Sequence, residues 1–195
     1  MKIIFIRHGQ TTGDVEDRYG GDYDDHLSEE GVAQAQALAR ELADAHIEVL
    51  YVSPLVRAQE TATILSQALA CPTVIEPNLK ERNQYGILTG MVKAEAREKY
   101  PELVEQVKDK YNTIEGAESY EAASARVQGV LHKLLDDSTH DTIGILWHGG
   151  PMRVLFRDYL TWGEVTELGD CSWVELEKSG DHFIKVDSRR MSFGF

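Results

Sequence analysis

Short, continuous apolar runs alternate along this chain with longer segments whose apolar residues recur at helical spacing. Lys2-Ile-Ile-Phe-Ile6 is mostly β-branched and ends at Arg7-His8-Gly9, the pattern of a buried strand opening onto a loop. Ser28, Glu29 and Glu30 supply a cap and first-turn acids for a helix that turns Ala35, Leu38, Ala39 and Leu42 to one face. Val49–Val52 is a second strand. Ser53-Pro54 then predicts a cap followed by proline at the first helical position, with Ala58, Ala62, Leu65 and Leu69 continuing the apolar face.

The same alternation continues to the end. Thr73–Ile75 reads as a short third strand, and residues 91–112 as charged helix broken by Pro101. A longer helix follows Ser119, with Ala123, Val127, Val130, Leu131 and Leu134 inward. Thr142–Trp147 is another buried strand, running into His148-Gly149-Gly150-Pro151 and a helix. Residues 172–178 and 182–187, separated by Ser179-Gly180-Asp181, predict a terminal hairpin. Strands alternating with helices indicate an α/β fold with a largely parallel sheet, and with no repeat or linker one domain is expected over residues 1–195.

Composition narrows the function. With 20 Lys plus Arg against 33 Asp plus Glu, the net charge of −13 repels nucleic acid and anionic membrane surfaces. It also repels phosphate esters at long range, so any anion must be held by a few local arginines. No apolar run approaches the roughly 20 residues of a membrane span, and the apolar stretch after Lys2 is too short for a signal peptide. Cys71 and Cys171 match no metal or redox spacing, so a reducing, cytoplasmic location is expected.

Candidate chemistry sits at the strand ends. His8 and His148 each follow a strand and precede a glycine, and open α/β sheets form their active sites along that edge. One histidine so placed is as often structural as catalytic; two in the same context favour function. Arg7 adjoins His8 and Arg57 lies early in the helix after the second strand, and guanidinium forks match phosphate oxygens. An isolated arginine there is usually solvated, and so is an isolated loop glutamate such as Glu81.

Taken together, these residues resemble the histidine phosphatase superfamily, which includes the cofactor-dependent phosphoglycerate mutases. Arg7-His8-Gly9-Gln10-Thr11 carries the resemblance first. It continues through Leu27-Ser-Glu-Glu-Gly31, Ser53-Pro-Leu-Val-Arg-Ala58, Leu79-Lys-Glu-Arg82 with Tyr85-Gly86 and Leu88-Thr-Gly90, Gly116-Ala-Glu-Ser119 and His148-Gly149-Gly150. It implies a three-layer αβα sandwich around a mostly parallel sheet, phosphoglycerate mutase-like. It also implies metal-independent hydrolysis of small-molecule phosphate esters, with no cofactor, and none of the seven histidines suggests a metal site.

The resemblance assigns roles by position. His8 attacks phosphorus and becomes a phosphohistidine; Arg7, Arg57 and His148 hold the transferring oxygens; Glu81 protonates the leaving alcohol and later takes a proton from water. The implied substrate-binding set adds Thr11, Asp14, Gly20, Gly21, Tyr85, Lys93 and Gly149. Tyr19, Tyr23 and Lys110 are further candidates for the pocket wall.

Departures from the family pattern leave questions. Asp14 stands where an asparagine is common, and either opposes a phosphate oxygen or turns to solvent. Trp147 replaces a small residue, and either fills the layer between sheet and helix or narrows the site. The adjacent arginines with which mutases hold a substrate carboxylate are missing near Tyr111 and Asn112, which favours hydrolysis. Mutase chemistry, for which Lys93 speaks, and a degenerate binding member without turnover are the alternatives. The tail Arg189–Phe195 either folds back on the body or reaches a neighbour, and oligomeric state stays open.

Overall fold

The computed structural model describes residues 1–194, apart from the side chain of Asp137. Its elements are β1 (Lys2–Arg7), α1 (Thr12–Val15), α2 (Glu29–Glu41), β2 (Val49–Val52), α3 (Val56–Leu69) and β3 (Thr73–Ile75). Then come α4 (Lys93–Lys99), α5 (Pro101–Gln106), α6 (Tyr120–Asp137), β4 (Thr142–Trp147), α7 (Gly149–Val154), β5 (Glu164–Ser179) and β6 (His182–Gly194). The six strands lie in the order β3-β2-β4-β1-β5-β6. The first four are parallel and the last two antiparallel, so the expected α/β sandwich is the observed architecture.

Side-chain alternation along the buried strands builds two cores. Ile4, Ile6, Leu50, Val52 and Leu146 pack on one face against Leu38 of α2 and Leu65 of α3. Ile3, Phe5, Ile143, Ile145 and Trp147 pack on the other against Val127 and Leu131 of α6 and Met152 of α7. Each such fully buried aliphatic chain contributes about 1.5–3 kcal/mol relative to exposure. Trp147 is completely buried, with its ring centroid 6.1 Å from that of Phe5, so its bulk fills the layer between sheet and helix. A third cluster, around Leu88, Ala96, Val104 and Ile114, ties residues 85–117 to Tyr19.

Two sequence expectations are corrected. Ser53 and Pro54 do not open a helix: α3 begins at Val56, whose N–H donates to Asp24 Oδ1 at 2.7 Å. Ser53 is buried, and its hydroxyl is engaged by His148 instead. The terminal hairpin is also much longer than its predicted core. Register shifts between Val165 and Glu167 and between Leu168 and Trp173 break the two-residue period by which a strand is read from sequence. The tail folds back on the body. Residues up to Gly194 pair with β5, and the Phe193 ring meets that of Phe156 edge-on at 4.9 Å; Phe195 lies outside the described residues.

Candidate active site

Register brings the two histidines together. In the β1–β4 pair Arg7 lies opposite Trp147, so His8 and His148 leave adjacent parallel strands side by side, with ring centroids 5.0 Å apart. The backbone of His8 is pinned from both neighbours: its N–H donates to the Trp147 carbonyl at 3.3 Å and its carbonyl accepts from Cys171 N–H at 3.1 Å. Cys171 sits in the β5 irregularity with φ 51, a strained left-handed conformation for a side-chain-bearing residue.

Hydrogen bonding fixes the His8 tautomer. Nδ1 lies 2.8 Å from the Gly9 carbonyl and must carry the proton, so Nε2 keeps its lone pair and accepts from Arg57 Nε at 3.2 Å. Burial, reinforced by the positive charges of Arg57 and Arg7, holds the His8 pKa well below 6.5, so the ring is neutral. His148 is neutral for the same first reason, with Arg57 next. Ser53 Oγ accepts from the Leu55 N–H at 3.3 Å and lies 2.6 Å from His148 Nε2, to which its O–H donates when the ring proton is on Nδ1. In that tautomer His148 Nδ1 is a spare donor, and this atom is buried without a partner.

The arginines are held differently. Arg57 is buried and donates also to the carbonyls of Tyr23 at 2.5 Å and Gly21 at 2.8 Å, and to Asp25 Oδ1 at 2.9 Å. The buried Asp25 offsets its charge, and the carbonyls clamp the 20–25 loop beside the histidines. Arg7 donates to the Leu168 carbonyl at 2.6 Å and pairs with Asp170 at 3.2 Å, while its Nε is buried without a partner. The spare donors at Arg7 Nε and His148 Nδ1 suit an anion. Burying a charged or polar N–H with nothing to bond costs about 1–3 kcal/mol, which a bound anion would offset.

Glu81 stands across from these groups. Its Oε1 accepts from the Arg82 N–H at 2.7 Å and its Oε2 from the Gly150 N–H at 3.1 Å. Burial nevertheless dominates and pushes its carboxyl above the usual 4.5, which favours the protonated form. Gly150 is required by this contact, because a Cβ there would lie 2.3 Å from Glu81 Oε1.

A cleft of about 320 Å³ opens above, lined by Arg7, Asp14, Gly20, Gly21, Glu81, Tyr85, Lys93 and Gly149 from the sequence-based set, and by Tyr19. His8, Arg57 and His148 are buried beneath these residues rather than on the lining. Thr11 does not line the cleft: its hydroxyl caps α1, accepting from Asp14 N–H and donating to Asp14 Oδ2. That capping box also answers the Asp14 question, since Oδ2 is turned onto Thr11 N–H and O–H. Tyr23 and Lys110 lie elsewhere, Tyr23 against Gly90 and Lys110 paired with Glu164 at 2.6 Å. Arg18, Gln84 and Arg153 line the cleft without having been singled out, as does Arg82, quoted only within a motif. An i+5 step from His148 into a helix was the available signal for Arg153. For Arg18 there was none. A larger cavity, lined by His132, Tyr159, Trp162 and His182, shares no residue with this site.

Comparison with known proteins identifies the family and the fold. The family model of the histidine phosphatase superfamily (branch 1) matches residues 3–188. Phosphoserine phosphatase 1 of Hydrogenobacter thermophilus is 33% identical over 158 residues, covering 80% of this chain and 74% of its own. The metal-independent phosphoserine phosphatase of Arabidopsis thaliana is 33% identical over 160 residues, covering 80% of this chain and 67% of its own. In fold, mycobacterial glucosyl-3-phosphoglycerate phosphatase superposes with a TM-score of 0.83 at 24% identity, covering 95% of this chain and 96% of that one.

Proposed function

The chain belongs to the histidine phosphatase superfamily, and from that premise we propose that it hydrolyses small-molecule phosphate monoesters through a phosphohistidine on His8, without a metal. In the first step His8 Nε2 bonds to phosphorus as the ester P–O bond breaks, and the protonated Glu81 carboxyl gives its proton to the departing oxygen. In the second, water attacks phosphorus, the N–P bond breaks and Glu81 recovers a proton from that water. The covalent intermediate divides one difficult displacement into two easier ones. Arg7, Arg57 and His148 stabilise the equatorial oxygens with donors fixed before substrate arrives.

The observation that carries this reading is the neutral His8 Nε2 lone pair, held by Arg57 Nε at 3.2 Å beside the unpartnered His148 Nδ1. The raised carboxyl of Glu81 supports its place as the proton donor. Hydrolysis is favoured over a mutase reaction because Tyr111 and Asn112 do not line the cleft, and Lys93 is paired with Asp17 at 2.6 Å. The partner is therefore a small phosphate ester; the acidic chain disfavours nucleic acid and anionic membranes, and no described helix is long and apolar enough to span a bilayer. Two free, buried cysteines suit a reducing compartment, and the cytoplasm is the proposed location.

Partitioning of the phosphoryl group tests this reading. With 3-phosphoglycerate and no metal, inorganic phosphate should account for most of the consumed substrate, and an alkaline quench should retain label on His8. Label on His8 that moves mainly to a second phosphoglycerate hydroxyl would establish the mutase instead. Absence of both label and phosphate release, with p-nitrophenyl phosphate as well, would favour a binding module. A second expectation concerns Gly150→Ala. It should lower turnover about 10- to 100-fold, a partial loss of the roughly 10²- to 10⁴-fold that acid–base catalysis contributes, because the new methyl must move the Glu81 carboxyl. Full turnover by a folded Gly150→Ala protein would contradict the Glu81–Gly150 contact.

A further inference from the structure

We propose that Arg153 is a specificity-determining residue that receives a carboxylate carried by the substrate close to its phosphate ester. The inference deepens the phosphatase reading of this cleft and rests on it.

Charge compensation sets two of the cleft's cations apart, Arg82 and Arg153, and Arg153 is the one on the helix that follows His148. Of the cleft's cations, Arg7 is paired with Asp170, Arg18 with Glu16 at 2.5 Å and Lys93 with Asp17 at 2.6 Å. Arg82 has no carboxylate within ion-pair distance among the described residues and its Nη2 is buried without a partner, but its Nε donates to the Glu118 carbonyl and its guanidinium lies 5.4 Å from the Tyr120 ring centroid. Arg153 has no carboxylate within ion-pair distance among the described residues, and its one hydrogen bond runs from Nη1 to the Val165 carbonyl. In a chain with 33 acidic and 20 basic residues, a cleft guanidinium without an acid partner is a position at which an anion is missing. Burial, followed by repulsion from Arg7, depresses the Arg153 pKa, while Glu164 and Glu81 act in the opposite sense from beyond ion-pair distance.

Position gives the anion its place. Arg153 lies on α7, one turn beyond Gly150, whose N–H holds Glu81, so it lines the same cleft as the proton donor. The reacting phosphoryl already has Arg7, Arg57 and His148, which frees Arg153 for a second group. A guanidinium fork matches a carboxylate in a bidentate way. A second phosphate dianion is disfavoured, because Asp14 lines the cleft and Asp170 stands against Arg7.

The test compares O-phosphoserine with O-phosphoethanolamine, which differ in the carboxylate alone. Their dissociation constants are measured by calorimetry on His8→Ala protein, which needs no turnover. The parent should prefer phosphoserine, and Arg153→Met should reduce that preference about 10- to 100-fold, the range for a charge-assisted pair. Arg153→Lys, keeping charge but not the fork, should retain part of it. Absence of preference in the parent, an unchanged preference in Arg153→Met, or equal weakening of both ligands would each overturn the proposal. Should Arg153→Met fail to fold, the Arg153 Nε–H resonance of the His8→Ala protein decides: a shift with phosphoserine and not with phosphoethanolamine is expected, and equal shifts overturn it. Failure of the phosphatase reading would show separately, as wild-type protein that prefers phosphoserine but releases no phosphate.

Discussion

His8→Ala is expected to lower the turnover of every phosphate ester at least about 10³-fold, as removal of a covalent nucleophile does, while the protein stays folded. The fold should survive because His8 contributes little to either apolar core, and its backbone bonds to Trp147 and Cys171 do not depend on the side chain. Arg57 Nε loses its acceptor, a cost of about 1–3 kcal/mol. Phosphate release from p-nitrophenyl phosphate, beside a thermal melt, checks both halves. Unchanged turnover in the folded variant would remove His8 as nucleophile. The wild-type pH profile carries a second sign of the same assignment. Attack needs the neutral ring, and burial with Arg57 and Arg7 holds its pKa well below 6.5. The acid limb of kcat/KM should therefore lie well below pH 6.5; a limb at or above 6.5 would speak against a buried, neutral His8.

Glu81→Gln should separate esters by leaving group. Alkyl phosphates, whose alkoxide must be protonated, are expected to slow about 10²- to 10⁴-fold, whereas p-nitrophenyl phosphate, with a good leaving group, should slow far less. Glutamine keeps the side chain's shape and one acceptor oxygen, enough for either the Gly150 or the Arg82 N–H but not both, while the transferable proton is lost. Burial raises the Glu81 pKa above 4.5, so the protonated donor persists below that raised value. Alkyl-ester turnover should fall as pH rises through it, and Glu81→Gln should remove that limb. Equal losses on both ester classes would exclude Glu81 as the acid.

Much of this site could be read from the chain. His8 and His148 were legible because each follows a continuous apolar run, and a strand's C-terminal edge is where such folds place their chemistry. Arg7, Arg57 and Glu81 were legible through their motifs. The hairpin was only half legible, since its bulges erase the alternation that identifies a strand. Ser53 was misread as a cap because a serine before proline has that local meaning. Its actual partner, His148, is 95 positions away. Asp14 was ambiguous for the opposite reason. Whether its carboxylate meets the ligand or its own helix cap depends on a local hydrogen bond to Thr11 that residue type does not announce.

The sequence by itself determined which elements form and which reactive groups exist, because periodicity and side-chain chemistry are local properties. Only the tertiary structure decided how those groups are set. The β1–β4 register places the two imidazoles side by side, and the β5 irregularity brings Asp170 to Arg7 and Cys171 N–H to His8. The same holds for charge. Five basic side chains line one cleft of a chain with net charge −13, and Arg7 and Lys93 find their acids, Asp170 and Asp17, in distant segments. Arg82 and Arg153 have no acid within ion-pair distance among the described residues, a fact of packing that no reading along the chain contains.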